Sequence, residues 1–139
     1  MARAGGSYEG MIMGWLTNHY TGIARAITWI GILAIIILSV VPAADRPVTG
    51  VGQSFEHFTA FAMLGGAFAV GYNLPLVRLM SLAVLFCAGI ELIQIPLPTR
   101  HARVSDFLVG IGGACFAILC AFIVRQIVGS RLMGIDFRK

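Results

Sequence analysis

Apolar runs long enough to cross a lipid bilayer recur along this chain, broken only by short polar connections, and no other feature restricts its fold so tightly. A spanning helix needs roughly 20 mostly apolar residues, within a range of about 17–25. The first run extends from Ile23 to Val41 and stops at Pro42. The second runs from about Phe55 to Tyr72; it is short and opens on Glu56 and His57. A third starts after Asn73 and Pro75 and continues to Ile95, just before Pro96, with Arg78 near one end, where its long side chain can reach the headgroups. The fourth runs from Ser105 to Val128, with Ser105 as the expected N-cap and Asp106 in the favourable first turn. The expected fold class is therefore an all-α integral membrane protein, a bundle of four transmembrane helices. It divides into an N-terminal segment over 1–22, a membrane domain over 23–128 and a basic tail over 129–139.

Composition agrees. Of the 139 residues, 58% are hydrophobic and 12% charged, whereas soluble domains average about 45–50% apolar and about a quarter charged. The net charge of +4 does not mark a nucleic-acid binder, because the basic residues are scattered at the ends of apolar runs rather than gathered in a patch. Cys87, Cys115 and Cys120 fall inside apolar runs at spacings that match no metal or redox pattern, and read as small hydrophobes. Residues 1–22, with Glu9 and several Gly and polar residues, do not read as a cleavable signal peptide. The patch Met11 to Leu16 reads as a short helix lying at the interface.

Orientation follows from the positive residues in the connections. Four spans put the N-terminus, the connection between spans two and three, and the C-terminus on one side, with Arg3, Arg25, Arg78, Arg125, Arg131, Arg138 and Lys139. The other side holds Arg46, Arg100 and Arg103, and seven against three predicts both termini in the cytoplasm. Small residues should mediate packing, since the bilayer provides little hydrophobic drive for helices to associate. Gly110 with Ala114, the series Gly113, Ala117 and Ala121, and in span two Ala62 with Gly66 and Gly65 with Ala69 predict close contact of spans two and four with neighbours, or dimer contacts.

The polar residues segregate by depth. Glu56 and His57 open span two, Glu91 and Gln94 close span three, and Asp106 opens span four, all on the predicted outer side. Asp45, Arg46, Arg100, His101 and Arg103 occupy the outer connections. Glu91 and Gln94, three residues apart, share one helical face. Asp106 stands above Gly110, Gly113 and Ala114, and His57 above Phe61 and Gly65, so these side chains are expected to converge between helices. Carboxylates near a bilayer are costly unless paired or wetted, which makes them functional candidates.

The order Pro42, Arg46, Pro47, then Glu56-His57-Phe58 with Phe61 and Leu64-Gly65, followed by Glu91-x-x-Gln94, Pro98-x-Arg100 and Asp106 heading a Gly-rich helix, resembles the VanZ-like membrane protein family over roughly residues 35–120. The resemblance implies that His57, Glu91, Gln94, Arg100 and Asp106 form the family's polar set. It also implies a bacterial inner-membrane setting, the family being named for a protein linked to resistance to glycopeptide antibiotics, particularly teicoplanin. The chain departs from the family's usual Asp-Lys at Gln53-Ser54 and from its usual Asn at Gly110.

Three readings of the polar set stay open. It can lock the bundle, with Arg100 or Arg103 paired to Glu91 or Asp106 and Gln94 bonding across helices. It can be a binding site made of Glu56, His57, Glu91, Gln94, Arg100, Arg103 and Asp106. The guanidinium forks in that set would face phospholipids, lipid-linked cell-wall intermediates, or a peptidoglycan or antibiotic ligand. Or it can be catalytic, with His57 shuttling protons, Glu91, Asp106 or Glu56 as acid/base, and Arg100 stabilising an anion on a lipid headgroup. No serine elbow, phosphate loop or HExxH motif is present, and neither a metal nor a cofactor is implied. His101 reads as a solvated loop residue, and His19, Trp15, Tyr20 and Trp29 as interfacial. No ionisable residue lies near the middle of a span, which argues against transport. The favoured expectation is recognition of an anionic lipid or cell-wall component at the outer leaflet. A lipid-directed enzyme, or a small structural subunit of a larger membrane complex or homo-oligomer, is the alternative.

Overall fold

A computed structural model describes residues 5–42, 50, 52–97 and 103–134. Its described elements are four helices: α1 (Gly5–Val40), α2 (Gln53–Gly71), α3 (Leu76–Gln94) and α4 (Val104–Gly134). Three contain segments long and apolar enough to cross a membrane, namely Gly10–Val40, Leu76–Gln94 and Val104–Gly129. The chain is thus an all-helical protein with the character of a multi-pass membrane protein. The remaining helix, α2, carries Gln53, Glu56 and His57 in its first turns, and it is the one most enclosed by its neighbours, lying along α4 and against α1.

The helix ends follow local chemistry. Pro42 lacks the N–H a further helical turn requires, and the last bond of α1 runs from the Val41 N–H to the Ile37 carbonyl at 3.0 Å. Gly52, at φ 96°, turns the chain into α2, a conformation that favours glycine. Its carbonyl accepts from the Phe55 and Glu56 N–H groups at 3.1 and 3.2 Å. Pro75 immediately precedes α3, and the Pro75 carbonyl accepts from Leu79 N–H at 3.1 Å.

Two expectations are corrected. The patch Met11 to Leu16 is not a separate interfacial helix but part of α1, which runs unbroken for 36 residues. No proline interrupts Gly5–Val40, and single glycines cost a helix only about 1 kcal/mol each relative to alanine. Its length is about 54 Å at the usual rise, well beyond a hydrocarbon core of about 30 Å. Ser105 does not cap α4, because the helix begins at Val104 and the Arg103 carbonyl accepts from Asp106 and Phe107 N–H at 3.0 and 3.2 Å.

The glycine stripes predict close neighbours for α2 and α4, and the structure makes them each other's. A Cβ on Gly65 would lie 2.6 Å from the Ala114 carbonyl oxygen, and one on Gly113 would collide with the Phe58 carbonyl. The two backbones approach where neither can carry a side chain. Around this seam, Phe61, Cys87, Ile90 and Ala114 form one buried cluster and Ala69, Leu79 and Ile118 a second. Cys87 is packed as a small hydrophobe, 2% exposed.

Contacts between helices define two ends. At one, Arg25 Nε donates to the Gly71 carbonyl at 2.8 Å and Arg125 donates to Asn73 Oδ1 at 2.9 Å. The middle of α1 around Arg25, the α2–α3 connection and the later turns of α4 around Arg125 thus meet at one end of the bundle, here the Tyr72 end. The opposite end gathers the last turn of α1 and the starts of α2 and α4, with the close of α3.

Candidate functional site

That opposite end is polar. Ser39 is buried in the last turn of α1, its hydroxyl donating to the Ile35 carbonyl at 2.6 Å, as hydroxyls in apolar helices do. Across from it, Glu56 and His57 of α2 and Gln94 of α3 line the same cavity of about 40 Å³. The ring of His57 packs at 5.4 Å from that of Phe61, and its Nε2 is buried. Gln94 is 6% exposed. Ile35, Leu38, Ala60 and Phe61 complete its wall, and a space of this size with four polar residues on it suits one or two small polar guests such as water.

Two further carboxylates, Asp106 and Glu91, meet neutral donors. Asp106 Oδ2 accepts from the side-chain amide of Gln53 at 2.9 Å, joining α4 to α2. Oδ1 accepts a longer bond from Ser105 at 3.4 Å. Glu91 Oε2 accepts from the main-chain N–H of Arg103 at 3.1 Å, just where α4 begins. Both carboxylates therefore sit at the N-terminal end of α4, where unpaired N–H groups and the helix dipole favour negative charge. Of the two arginines expected to pair with Glu91 or Asp106, Arg103 meets Glu91 through its main-chain N–H, and Arg100 lies outside the described residues. The exposed side chain of Arg103 stands beside a groove of about 290 Å³ between α3 and α4, whose walls include Glu91, Ala88, Leu92, Ile95 and Phe107.

The structure thus brings Glu56, His57 and Gln94 together at one cavity, Glu91 to Arg103, and Asp106 to α2. Arg100, with His101, Asp45 and Arg46, lies outside the described residues. Among the described residues no three His, Cys, Asp or Glu side chains form a metal-binding group. Two members of the site escaped the sequence reading. Gln53 stood out there only as a departure from the family's usual Asp, and Ser39 lay unremarked in an apolar run. Their signal was depth, for both fall at the same end of their helices as the residues singled out.

Compared with family models, curated proteins and solved structures, the chain matches none of them.

Proposed function

We propose that this chain is a VanZ-like, four-span protein of the bacterial inner membrane, with both termini cytoplasmic. In this reading it recognises an anionic lipid or cell-wall component at the outer leaflet through its polar end. The observation that carries it is the groove between α3 and α4, which joins apolar walls to Glu91 and Arg103. An amphiphile with an acyl or polyprenyl chain and an anionic headgroup matches that pairing, the guanidinium serving as a fork for phosphate or carboxylate. Glu91 then does two things: it holds the start of α4 and keeps Arg103 at the mouth of the groove. The seven-to-three distribution of basic residues supports the orientation, and α2, sheltered by α1 and α4, tolerates its polar first turns as the fourth span.

The test is ligand-induced thermal stabilisation of the purified protein in mild detergent. Phosphatidylglycerol, cardiolipin, a polyprenyl phosphate and a glycopeptide antibiotic are each added in turn. At least one should raise the melting temperature, and Arg103→Gln should abolish the rise while Arg125→Gln, at the other end, preserves it. No rise with any member, or a rise indifferent to Arg103, overturns the reading. An N-terminus labelled from outside the cell overturns the orientation.

A further inference from the structure

We propose a second lipid site at the Tyr72 end: a groove that takes one acyl chain of an anionic phospholipid, with Arg25 and Arg78 receiving the headgroup. It does not rest on the reading of the polar end and survives if that reading fails. Residues of α1, α2 and α3 line a cavity of about 380 Å³. Each helix supplies one stripe, and the three stripes run toward the same end. On α1 the stripe is Thr28, Trp29 and Ile32; on α2 it is Leu64 and Phe68, continued by Tyr72; on α3 it is Leu82 and Phe86.

The hydroxyl of Thr28 is already spent on the Ala24 carbonyl at 2.8 Å, so the groove wall presents methyl groups and rings. The volume lies in the range of small-ligand sites, about 300–1,000 Å³.

Charge decides what kind of lipid. Helical spacing continues the α1 stripe to Arg25, three residues before Thr28, and the α3 stripe to Arg78, four before Leu82. Arg25 is anchored at this mouth by Nε, which donates to the Gly71 carbonyl at 2.8 Å, and its guanidinium carbon lies 5.3 Å from the Tyr72 ring centre. With Nε committed to that carbonyl, the terminal nitrogens carry the donors left for a ligand. Trp29 Nε1 donates to the Tyr72 hydroxyl at 3.0 Å, the amphipathic pairing that aromatic residues make at headgroup level. Arg78 is exposed, while Glu56, Glu91 and Asp106 all stand at the opposite end. Two guanidiniums over an apolar groove select an anionic headgroup on a hydrocarbon chain, where each basic residue near the surface favours binding about fivefold.

Trp29 reports on the groove directly. In the Trp15→Phe protein it is the remaining tryptophan of two. Phosphatidylglycerol brominated at mid-chain should quench it at several-fold lower mole fraction than brominated phosphatidylcholine. Arg78→Gln, at an exposed position, should reduce that preference about fivefold, and Arg25→Gln with Arg78→Gln should erase it. If the double variant loses helicity by circular dichroism, Arg78→Gln alone decides. Equal quenching by the two headgroups in the unsubstituted protein, or a preference untouched by Arg78→Gln, overturns the proposal.

Discussion

At the polar end, Asp106 is held by the amide of Gln53 and Glu91 by the main-chain N–H of Arg103. At the Tyr72 end, Arg25 is held by the Gly71 carbonyl and the Tyr72 ring, and Arg125 by the Asn73 amide oxygen and the Phe122 ring. Negative charge thus meets neutral donors, and positive charge meets neutral acceptors and π-faces. The pattern follows from α2 and α4 running parallel. Both start at the polar end, where their N–H groups favour carboxylates. Both point their carbonyls toward the Tyr72 end, where Arg25 takes one from the last residue of α2. Among the described residues, the partners seen for these four groups are neutral.

Both ends depend on the α2–α4 seam, so the largest effect should come from breaking it. Gly113→Val drives a branched side chain into the Phe58 carbonyl and should cost about 3 kcal/mol or more, a fall in melting temperature of many degrees. Gly112→Val, where a Cβ meets nothing within 4 Å, should change it little. If the two variants melt alike, the close approach does not hold the ends in place.

A middle-sized effect belongs to the polar end. Asp106→Ala removes a buried acceptor and should cost about 1–3 kcal/mol in thermal or denaturant unfolding. Asp106→Asn keeps an acceptor for Gln53 and should recover most of that loss. An Asn variant as weak as Ala would mean that the negative charge at the start of α4, rather than the hydrogen bond, carries the stabilisation.

The smallest effect is expected at the Tyr72 end, where Arg25 is largely exposed. Arg25→Ala loses one hydrogen bond and one ring contact and should cost about 1 kcal/mol in the same assay. A cost above that of Asp106→Ala would reverse the comparison and make the cationic end the structural one.

Much of this was legible in residues taken singly. Pro42 ended the first helix, Pro75 preceded the third, and Pro96 lies two residues past its end, as expected of residues that cannot supply a helical N–H. The glycine spacing announced close contacts for α2 and α4, though not that each was the other's neighbour, and mapping Glu56, His57, Gln94 and Asp106 by depth placed them at one end. Other features were not legible. The first helix is already formed at Gly5, although its apolar run starts only at Ile23. Ser105 has the chemistry of an N-cap, yet the first-turn bonds went to the Arg103 carbonyl, since boundaries can move a residue without changing the pattern.

The sequence by itself determined that apolar helices would form and that their charges would lie near the ends. Hydropathy and helical period are local properties that every run carries within itself. Which partner each charge found was decided only by tertiary structure. Gln53 and Asp106 stand 53 residues apart, and Arg25 and Gly71 are 46 apart. Periodicity tells which face a residue occupies on its own helix, but not how that helix is rotated against the next. For α2 and α4 that rotation was set where Gly65 and Gly113 let two backbones meet, and the Gln53–Asp106 contact lies on the same pair of helices.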